Sequence, residues 1–458
     1  MVHSSEPNRR DFLVKAGAVG TASFLSAVGR AGSISASEPS AFGPSKAKTS
    51  GESEFLLKSQ QLPAPDVRLP TDALPAPSGR KKRIAAITTA YWKYSHADDI
   101  ITKFIEGYSV VGRIHLPHCE VVSLYIEQFP KSDIGRGMAA RYGIPLFDKP
   151  AEALTLGGDQ LDVDGVLLIG EHGEFPLNSK GQKLYPRRRL FEEIVKVFRQ
   201  SGRGVPVFND KHLSYSWQNA NWMYRQSRGL KFPLMAGSSV PVTWRHPPLA
   251  FRPGIELNSA LVVGSGSFES YGFHCLEFLQ TFVEKRRGGE VGVKSVQTLE
   301  GDAAWNSAKQ GGWPAELIPA AIRSVPVSQK RKFEFDMLRK SVVFRIEYSD
   351  GFVAAVCRLG GLVSGYNFGA AVRGLLRRVE THALLPKPQR DHFSFLCNHI
   401  EVMFRSGRPS YPVERTLLTT GILDALHDSR AGGGKRIETP HLSRLKYTPA
   451  PEFSIETT

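Results

Sequence analysis

Residues 163–176 read VDGVLLIGEHGEFP, residues 184–202 read LYPRRRLFEEIVKVFRQSG, residues 205–228 read VPVFNDKHLSYSWQNANWMYRQSR, and residues 232–245 read FPLMAGSSVPVTWR. This stretch decides the fold. Its apolar runs at 166–169, 205–208 and 233–236 are short and unbroken, as in strands buried on both faces of a parallel sheet. Residues 187–200 and 217–224 between them have helical patterns. The alternation predicts right-handed crossovers and a parallel sheet.

Polar residues follow each of the three predicted strands. In open parallel sheets ligands bind beyond the carboxyl ends of the strands, so these positions are the first candidates for a functional site. The candidates are Glu171, His172 and Glu174 after the first run, Asn209, Asp210, Lys211 and His212 after the second, and Gly237, Ser238 and Ser239 after the third.

The same segment resembles the region around the E-K-P motif of the Gfo/Idh/MocA family, which comprises glucose-fructose oxidoreductase, inositol dehydrogenase and MocA-like proteins. Asp210-Lys211-His212 is similar to that motif, with Lys211 on its lysine. The resemblance implies an α/β fold, in which a Rossmann-like parallel-sheet domain precedes an α+β domain with a mainly antiparallel sheet. It also implies an oxidoreductase that acts on a sugar, polyol or glycoside with NAD or NADP.

A second part of the resemblance begins at Gly264. The sequence GSGSFESYGFHCLE over 264–277 leads into an apolar helix and resembles the second-domain helix that brings an Asp and, four residues on, a His into the active site. His274 takes the histidine position and implies a catalytic base. Ser270 stands at the aspartate position, so Glu269 or Tyr271 is a candidate substitute. A packed helix residue is the alternative interpretation of His274.

The predicted nucleotide loop departs from the family. Arg83 to Thr89 reads as the first strand and Ser95 to Tyr108 as the first helix, yet the turn between them contains no glycine. A G-x-G-x-x-G turn lets the backbone approach a pyrophosphate at the helix N-terminus, and bulky Tyr91 and Trp92 would crowd that group. The hydroxyls of Thr88 and Thr89 remain candidate phosphate contacts.

Glu127 and Lys211 complete the predicted cofactor contacts. Glu127 follows the predicted strand Val121 to Ile126 and matches the acid that receives ribose hydroxyls. By the resemblance, Lys211 lies near the reacting hydroxyl, while Glu171, His172, Asp210, His212 and Tyr271 border the substrate pocket.

The 458-residue length predicts two domains with appendages. Composition and pattern divide the chain into a signal peptide over 1–40, a Pro- and Ser-rich linker or arm over 41–80, a Rossmann-like domain over 81–237, an α+β substrate and oligomerisation domain over 238–435, and a tail over 436–458. In the second domain, the turn at 349–351 between alternating apolar runs predicts a β-hairpin, and 393–404 and 413–427 read as amphipathic helices.

The N-terminal segment is typical of a twin-arginine export signal. It pairs Arg9 and Arg10 before Phe12 and Lys15, and its apolar part over 16–28 is too mildly hydrophobic for a retained membrane anchor. We therefore expect the twin-arginine translocon as a transient partner and a periplasmic or extracellular location.

The net charge of +15 does not indicate a nucleic-acid partner, because Lys and Arg are scattered and no aromatic-basic stripe accompanies them. The resemblance also makes a homo-oligomer possible. The four cysteines lie far apart, which favours buried free thiols over a disulfide framework.

Two further functions remain open beside the oxidoreductase. The first is a carbohydrate-binding protein on the same scaffold that has lost its cofactor, which the glycine-free loop and Ser270 favour. The second is a metal-dependent hydrolase or isomerase, for which the candidate ligands are His172, Glu174, Asp210, His212 and His274. The nearby His115, His118 and Cys119 lack a second ligand pair at zinc spacing and read as ordinary loop residues.

Overall fold

The computed structural model describes residues 69–110, 113–386 and 390–450. Within these ranges the chain forms an α/β fold with one parallel and one mainly antiparallel sheet, as the sequence predicts. No helix among the described residues is both long and apolar enough to cross a membrane. The predicted signal peptide and most of the predicted arm lie outside the described residues.

The first sheet has six parallel strands in the order β5-β4-β1-β6-β7-β8. A separate hairpin, β2 with β3, stands beside it. The strands are β1 (Lys82–Thr88), β2 (Tyr108–Val110), β3 (Arg113–His115), β4 (Cys119–Ile126), β5 (Leu146–Phe147), β6 (Gly165–Ile169), β7 (Val207–Asp210) and β8 (Leu234–Gly237).

Helices flank this sheet: α1 (His96–Glu106), α2 (Gly135–Tyr142), α3 (Pro150–Thr155), α4 (Arg187–Gln200) and α5 (Trp217–Gly229). Each of the five residues of β6 is buried, which explains its unbroken apolar run. Helix α4 buries one face, and its bounds are those that the apolar spacing predicts. The carboxyl ends of β1, β6, β7 and β8 therefore meet at one edge.

The second sheet has eight strands in the order β16-β11-β12-β13-β10-β14-β15-β9, and only the β10–β13 pair is parallel. Its strands are β9 (Arg245–His246), β10 (Leu257–Gly264), β11 (Val293–Glu300), β12 (Val342–Tyr348), β13 (Val353–Arg358), β14 (Tyr366–Val372), β15 (Val379–Ala383) and β16 (Ile437–Glu438). The helices of this half are α6 (Ser270–Val283), α7 (Asp302–Lys309), α8 (Ile318–Ala321), α9 (Asp391–Ser406) and α10 (Val413–Ala431).

The last two long helices return to the first sheet. Phe393, Leu396 and Ile400 of α9 share a core cluster with Phe104 of α1. Leu417 of α10 joins the cluster under α4 and α5, while Leu418 and Ile422 of the same helix pack into the core of the second sheet. The part of the chain after 390 therefore ties the two sheets together.

The segment after 435, predicted as a tail, takes part in this packing as far as it is described. Strand β16 pairs with β11, Leu442 is fully buried, and the Tyr447 hydroxyl donates to Glu284 Oε2 at 2.7 Å. Glu284 ends α6 and also accepts from Arg415 of α10, at 2.5 Å and 2.9 Å. One buried carboxylate thus links three separate parts of the chain.

We expect Arg415→Ala to lower the free energy of unfolding by about 3–5 kcal/mol, because removing one partner leaves the Glu284 carboxylate buried without its cation. Denaturant unfolding followed by circular dichroism measures the change. Arg408→Ala, at an exposed site of the next loop, is the control and should stay within about 0.5 kcal/mol of the wild type. Equal effects of the two variants would contradict the assigned importance of this ion pair.

Candidate functional site

Lys211 and His274 meet at the carboxyl edge of the parallel sheet. Lys211 Nζ lies 2.6 Å from His274 Nε2, and both side chains are buried. Lys211 follows β7 in the left-handed backbone region, at φ 65°, and its N–H donates to Gly237 O at 3.0 Å. His274 lies on α6. The structure therefore brings together the two residues that the family resemblance singles out as catalytic.

A buried carboxylate compensates the lysine charge. Glu171, just after β6, has Oε1 3.8 Å from Lys211 Nζ, and its other oxygen accepts from the Arg187 guanidinium. Burial raises the pKa of Glu171, but the charges of Lys211 and Arg187 outweigh burial and hold it at about 2. Burial also lowers the pKa of Lys211 despite this neighbour. The three groups form a desolvated charge network.

Arg187 was not among the predicted site residues. It begins α4 and is fully buried, with Nη1 3.1 Å from His212 Nδ1. A signal for it exists in the sequence, since Arg187 is three, four and seven residues before the buried Leu190, Phe191 and Ile194. An arginine on the apolar face of a helix needs a buried partner, which here is Glu171.

Asp210 faces away from the lysine toward the first helix. Its Oδ2 lies 2.7 Å from His96 Nδ1, and its Oδ1 has no partner among the described atoms. Burial, reinforced by the Glu171 charge, raises the pKa of Asp210 to about 7. Burial, with the charge of Lys211, lowers the pKa of His96 well below its usual range. His96 is a second site residue that sequence reasoning missed.

His172 closes one side of the cluster. Its backbone is left-handed, at φ 73°, and its ring centroid lies 5.0 Å from that of Trp92 and 5.2 Å from that of His96. The Thr89 hydroxyl holds the adjoining backbone by donating to Glu171 O at 2.8 Å. His172 Nε2 is buried without a hydrogen-bond partner in the described part of the chain, so the cluster contains an unsatisfied polar atom.

His212 contacts Arg187, and Glu269 lies close to His212. His212 Nε2 is 3.7 Å from Glu269 Oε1, and the His212 ring packs on Phe273 at 5.3 Å between centroids. Burial raises the pKa of Glu269 to about 7. His212 is therefore an internal partner of both Arg187 and Glu269.

Tyr271 and Glu277 flank His274 on α6. Tyr271 is half exposed, with its ring centroid 6.4 Å from that of His274. Glu277 is buried and accepts from Ser238 N–H, Thr416 and Thr419 at 2.9–3.1 Å. A side chain at Gly237, whose φ is 126°, would meet the Glu277 carboxylate. Glu277 thus holds α6 against the end of β8.

The predicted nucleotide loop is filled by its own side chains. Tyr91 is fully buried. The Ser95 hydroxyl caps α1 by accepting from Asp98 N–H at 3.3 Å, while Asp98 Oδ2 accepts from Tyr94 N–H at 2.9 Å and lies 3.4 Å from Lys93 Nζ. A carboxylate thus lies at the N-terminus of α1, the end of the helix at which dinucleotide-binding domains hold a pyrophosphate. These residues do not fit the family's way of holding that group.

The remaining predicted cofactor contacts are also engaged within the protein. The Thr88 hydroxyl donates to Ile169 O at 3.1 Å. Glu127 follows β4 as predicted, but its Oε2 lies 2.6 Å from Arg189 Nη2 on the surface. Both side chains therefore have hydrogen-bond or ion-pair partners within the protein.

No group of three or more His, Cys, Asp or Glu side chains among the described residues is arranged to hold a metal ion. The set proposed from sequence for a metal enzyme is dispersed, with His212 behind Arg187 and Glu174 exposed. His115 pairs with Glu401 at 2.6 Å. The four cysteines are buried free thiols.

A surface cavity of about 450 Å³ opens beside α4 and α5. It is lined by Leu184, Tyr185, Pro186, Arg188, Arg189, Glu192, Tyr215 and Asn219. Its connection to the site is indirect, through the Tyr185 ring, 4.8 Å from Arg187 Cζ. The cavity does not include Lys211 or His274.

No protein-family model matches the chain, and no curated protein matches it in sequence. Solved structures do resemble it in fold. GenD2 from gentamicin A biosynthesis, in complex with NAD, is 14% identical with a TM-score of 0.51 over 80% of this chain and 99% of that chain. Myo-inositol 2-dehydrogenase from Lactobacillus plantarum is 11% identical, with a TM-score of 0.47 over 78% and 99% of the two chains. The WlbA dehydrogenase from Bordetella pertussis, in complex with NADH and UDP-GlcNAcA, is 14% identical, with a TM-score of 0.45 over 79% and 99%.

The match to GenD2 confirms the family resemblance at the level of the fold. It spans both sheets, since nearly the whole of that chain is covered. At this identity the likeness establishes architecture, and the function has to be argued from the site itself.

We expect Glu171→Gln to lower the free energy of unfolding by about 3 kcal/mol at pH 7, because Lys211 and Arg187 lose their buried counter-charge. The carboxyl pKa falls from 4.5 in the unfolded chain to about 2 in the folded one. Its stabilisation is therefore complete above 4.5 and is lost as the pH falls toward about 2.

The difference in the free energy of unfolding between the wild type and Glu171→Gln should therefore shrink as the pH falls below 4.5. Denaturant unfolding at several pH values checks this trend. Glu174→Gln, three residues away and exposed, is the matched control, with an expected change within about 0.5 kcal/mol throughout. A difference independent of pH would show that Glu171 is not held ionised by its neighbours.

Proposed function

We propose that the chain is a divergent member of the Gfo/Idh/MocA family and an oxidoreductase-type enzyme that acts on a hydroxyl or carbonyl of a sugar, polyol or glycoside. The observation that carries the proposal is the 2.6 Å contact between Lys211 Nζ and His274 Nε2 across the two halves of the fold. The fold of the NAD-bound GenD2 structure supports it.

The pair is suited to proton transfer at a substrate oxygen. A substrate hydroxyl that replaces the direct Lys211–His274 hydrogen bond would accept a hydrogen bond from Lys211 Nζ and donate one to His274 Nε2, along which its proton would move to the imidazole. Burial, together with the Lys211 charge, lowers the pKa of His274 well below its usual range, so the imidazole is neutral and its Nε2 is a hydrogen-bond acceptor. Proton transfer to His274 requires that bound substrate separate it from the lysine charge. Glu171 and Arg187 keep Lys211 in place.

The resemblance implies NAD or NADP as the hydride carrier. Asp98 and Tyr91 at the start of α1 do not fit the way in which the family holds the phosphates of that cofactor. Redox activity therefore requires another mode of dinucleotide binding.

A carbohydrate-binding protein without redox activity is the second candidate. The Asp98 carboxylate at the N-terminus of α1 favours it, because Asp98 already accepts from Tyr94 N–H and pairs with Lys93, two groups that could otherwise hold a phosphate. In this form Lys211 and His274 would hold a substrate hydroxyl by hydrogen bonds alone.

Export by the twin-arginine pathway to the periplasm or the cell exterior is part of both proposals and is supported by the sequence over 8–15. A homo-oligomer also remains a proposal. Secretion of the full chain by cells with and without a functional twin-arginine translocon, followed by immunoblotting of the fractions, tests the export.

We expect the purified full chain to reduce NAD or NADP with at least one compound of a panel containing myo-inositol, glucose and N-acetylglucosamine. Lys211→Ala should lower that rate by about 10²–10⁴-fold, the usual contribution of a positioned proton-transfer group. Lys196→Ala, at an exposed site on α4, should leave it unchanged. Absorbance of the reduced nicotinamide measures the rate.

Nucleotide analysis of the native protein separates the two candidates. Turnover or released nucleotide supports the oxidoreductase. Calorimetric binding of a panel sugar that needs Lys211, without nucleotide, supports the binding protein. Turnover that survives Lys211→Ala, or a panel sugar bound equally well by that variant, would refute the assigned role of the pair.

A further inference from the structure

His96 connects the first turn of α1 to the polar site. It is the first residue of the helix, directly after the capping Ser95, and its side chain is buried. Its Nδ1 lies 2.7 Å from Asp210 Oδ2. Asp210 ends β7 and is followed at once by Lys211, so a hydrogen bond from α1 reaches the residue next to the lysine.

The surroundings of His96 fix its ring. The ring contacts that of Phe393 at 5.0 Å and that of His172 at 5.2 Å between centroids, both in edge-on geometry. The charged groups around it are Lys211, Glu171 and Arg390. The imidazole therefore has a packed orientation with one nitrogen on Asp210.

The backbone at Lys211 requires support on both sides. A left-handed conformation is unfavourable for a lysine and persists only where its neighbours hold it. On the far side Lys211 N–H donates to Gly237 O. On the near side the Asp210 side chain is held by His96, which gives the turn its second anchor.

The helix that carries His96 is itself tied down. Asp98 closes the helix N-terminus with Ser95 and Tyr94. Asp99 Oδ2 lies 2.5 Å from Arg390 Nη1, just before α9. These contacts hold the first turn of α1 in place, and His96 belongs to that turn.

We propose that His96 is a positioning residue: with Asp210 it holds the turn that presents Lys211 to His274. In dinucleotide-binding domains the first turn of this helix binds phosphate. In this protein the same turn would instead hold Lys211 in position beside His274. The inference rests on the proposed function for its purpose, but the coupling from His96 to Lys211 is testable without any substrate.

Trace labelling of the full chain with acetic anhydride, read by mass spectrometry of the peptide that contains Lys211, measures how accessible the amine is. His96→Leu and Asp210→Ala should each raise the Lys211 rate about fivefold, the factor that corresponds to loss of one buried hydrogen bond. The double variant should show no further increase, because both changes remove the same bond. Exposed Lys196 is the internal standard.

His96→Asn should retain nearly the wild-type rate, because its amide nitrogen takes the place of Nδ1, whereas His96→Gln should not. His115→Leu breaks a comparable histidine–carboxylate pair with Glu401 and should leave Lys211 unchanged. Circular dichroism checks that each variant is folded. If His96→Leu does not fold, the comparison of His96→Asn with His96→Gln tests the proposal.

Unchanged labelling of Lys211 in folded His96 variants, additive effects in the double variant, or equal rates for Asn and Gln would each overturn the proposal. The turnover and binding experiments on Lys211 decide the proposed function independently, so the two can fail separately.

Discussion

The desolvated contact between Lys211 and His274 is the interaction on which the rest of this structure depends. A lysine buried beside a histidine is unfavourable unless other groups compensate its charge. Glu171 supplies that compensation and is itself held by Arg187. Because these residues come from the ends of β6 and β7 and the start of α4, the charge network forms only when the parallel sheet and its crossover helix are in place.

The position of His274 depends on how the two sheets are joined. Helix α6 carries His274 and, one turn later, Glu277, whose carboxylate accepts from Ser238 N–H at the end of β8. Thr416 and Thr419 of α10 complete the hydrogen bonds of that carboxylate. The same buried acid thus fixes the histidine helix against the strand end whose carbonyl receives the Lys211 N–H. A satisfied buried polar network of this kind specifies one arrangement.

The β1–α1 turn differs from the glycine-rich turn of the family, whereas the strand ends and α6 keep Lys211 and His274. Asp98 provides an internal anion at the helix N-terminus, which satisfies the helix dipole without a ligand. Tyr91 fills the space of the missing glycines, and His96 extends from the same turn to Asp210. Function on such a scaffold is decided by these side chains and not by the strand order.

Local sequence was sufficient for most of the first sheet. Its strands are buried on both faces and therefore read as unbroken apolar runs, and α4 shows its buried face so clearly that the predicted bounds coincide with Arg187–Gln200. The second half was harder. Only the β12–β13 hairpin was predicted there. Strand β10 pairs with β13 and β14, which lie far along the chain, and β15 pairs with the distant β9, so local sequence does not reveal these neighbours. The β14–β15 pair is local but was missed, although Gly374 lies in its connection at φ 84°.

The site divides in the same way. The sequence by itself determined that polar residues, including Lys211, follow the strand ends, and the family resemblance added His274. Only the tertiary structure decided that His96 and Arg187 belong with them. Their partners, Asp210 and Glu171, lie 114 and 16 residues away, and local spacing does not reveal which buried carboxylate a distant cation or imidazole will meet. The hydrogen bonds of Asp98 at the start of α1 were likewise decided in three dimensions, because the sequence shows that the glycines are missing but not which backbone and side-chain groups Asp98 contacts.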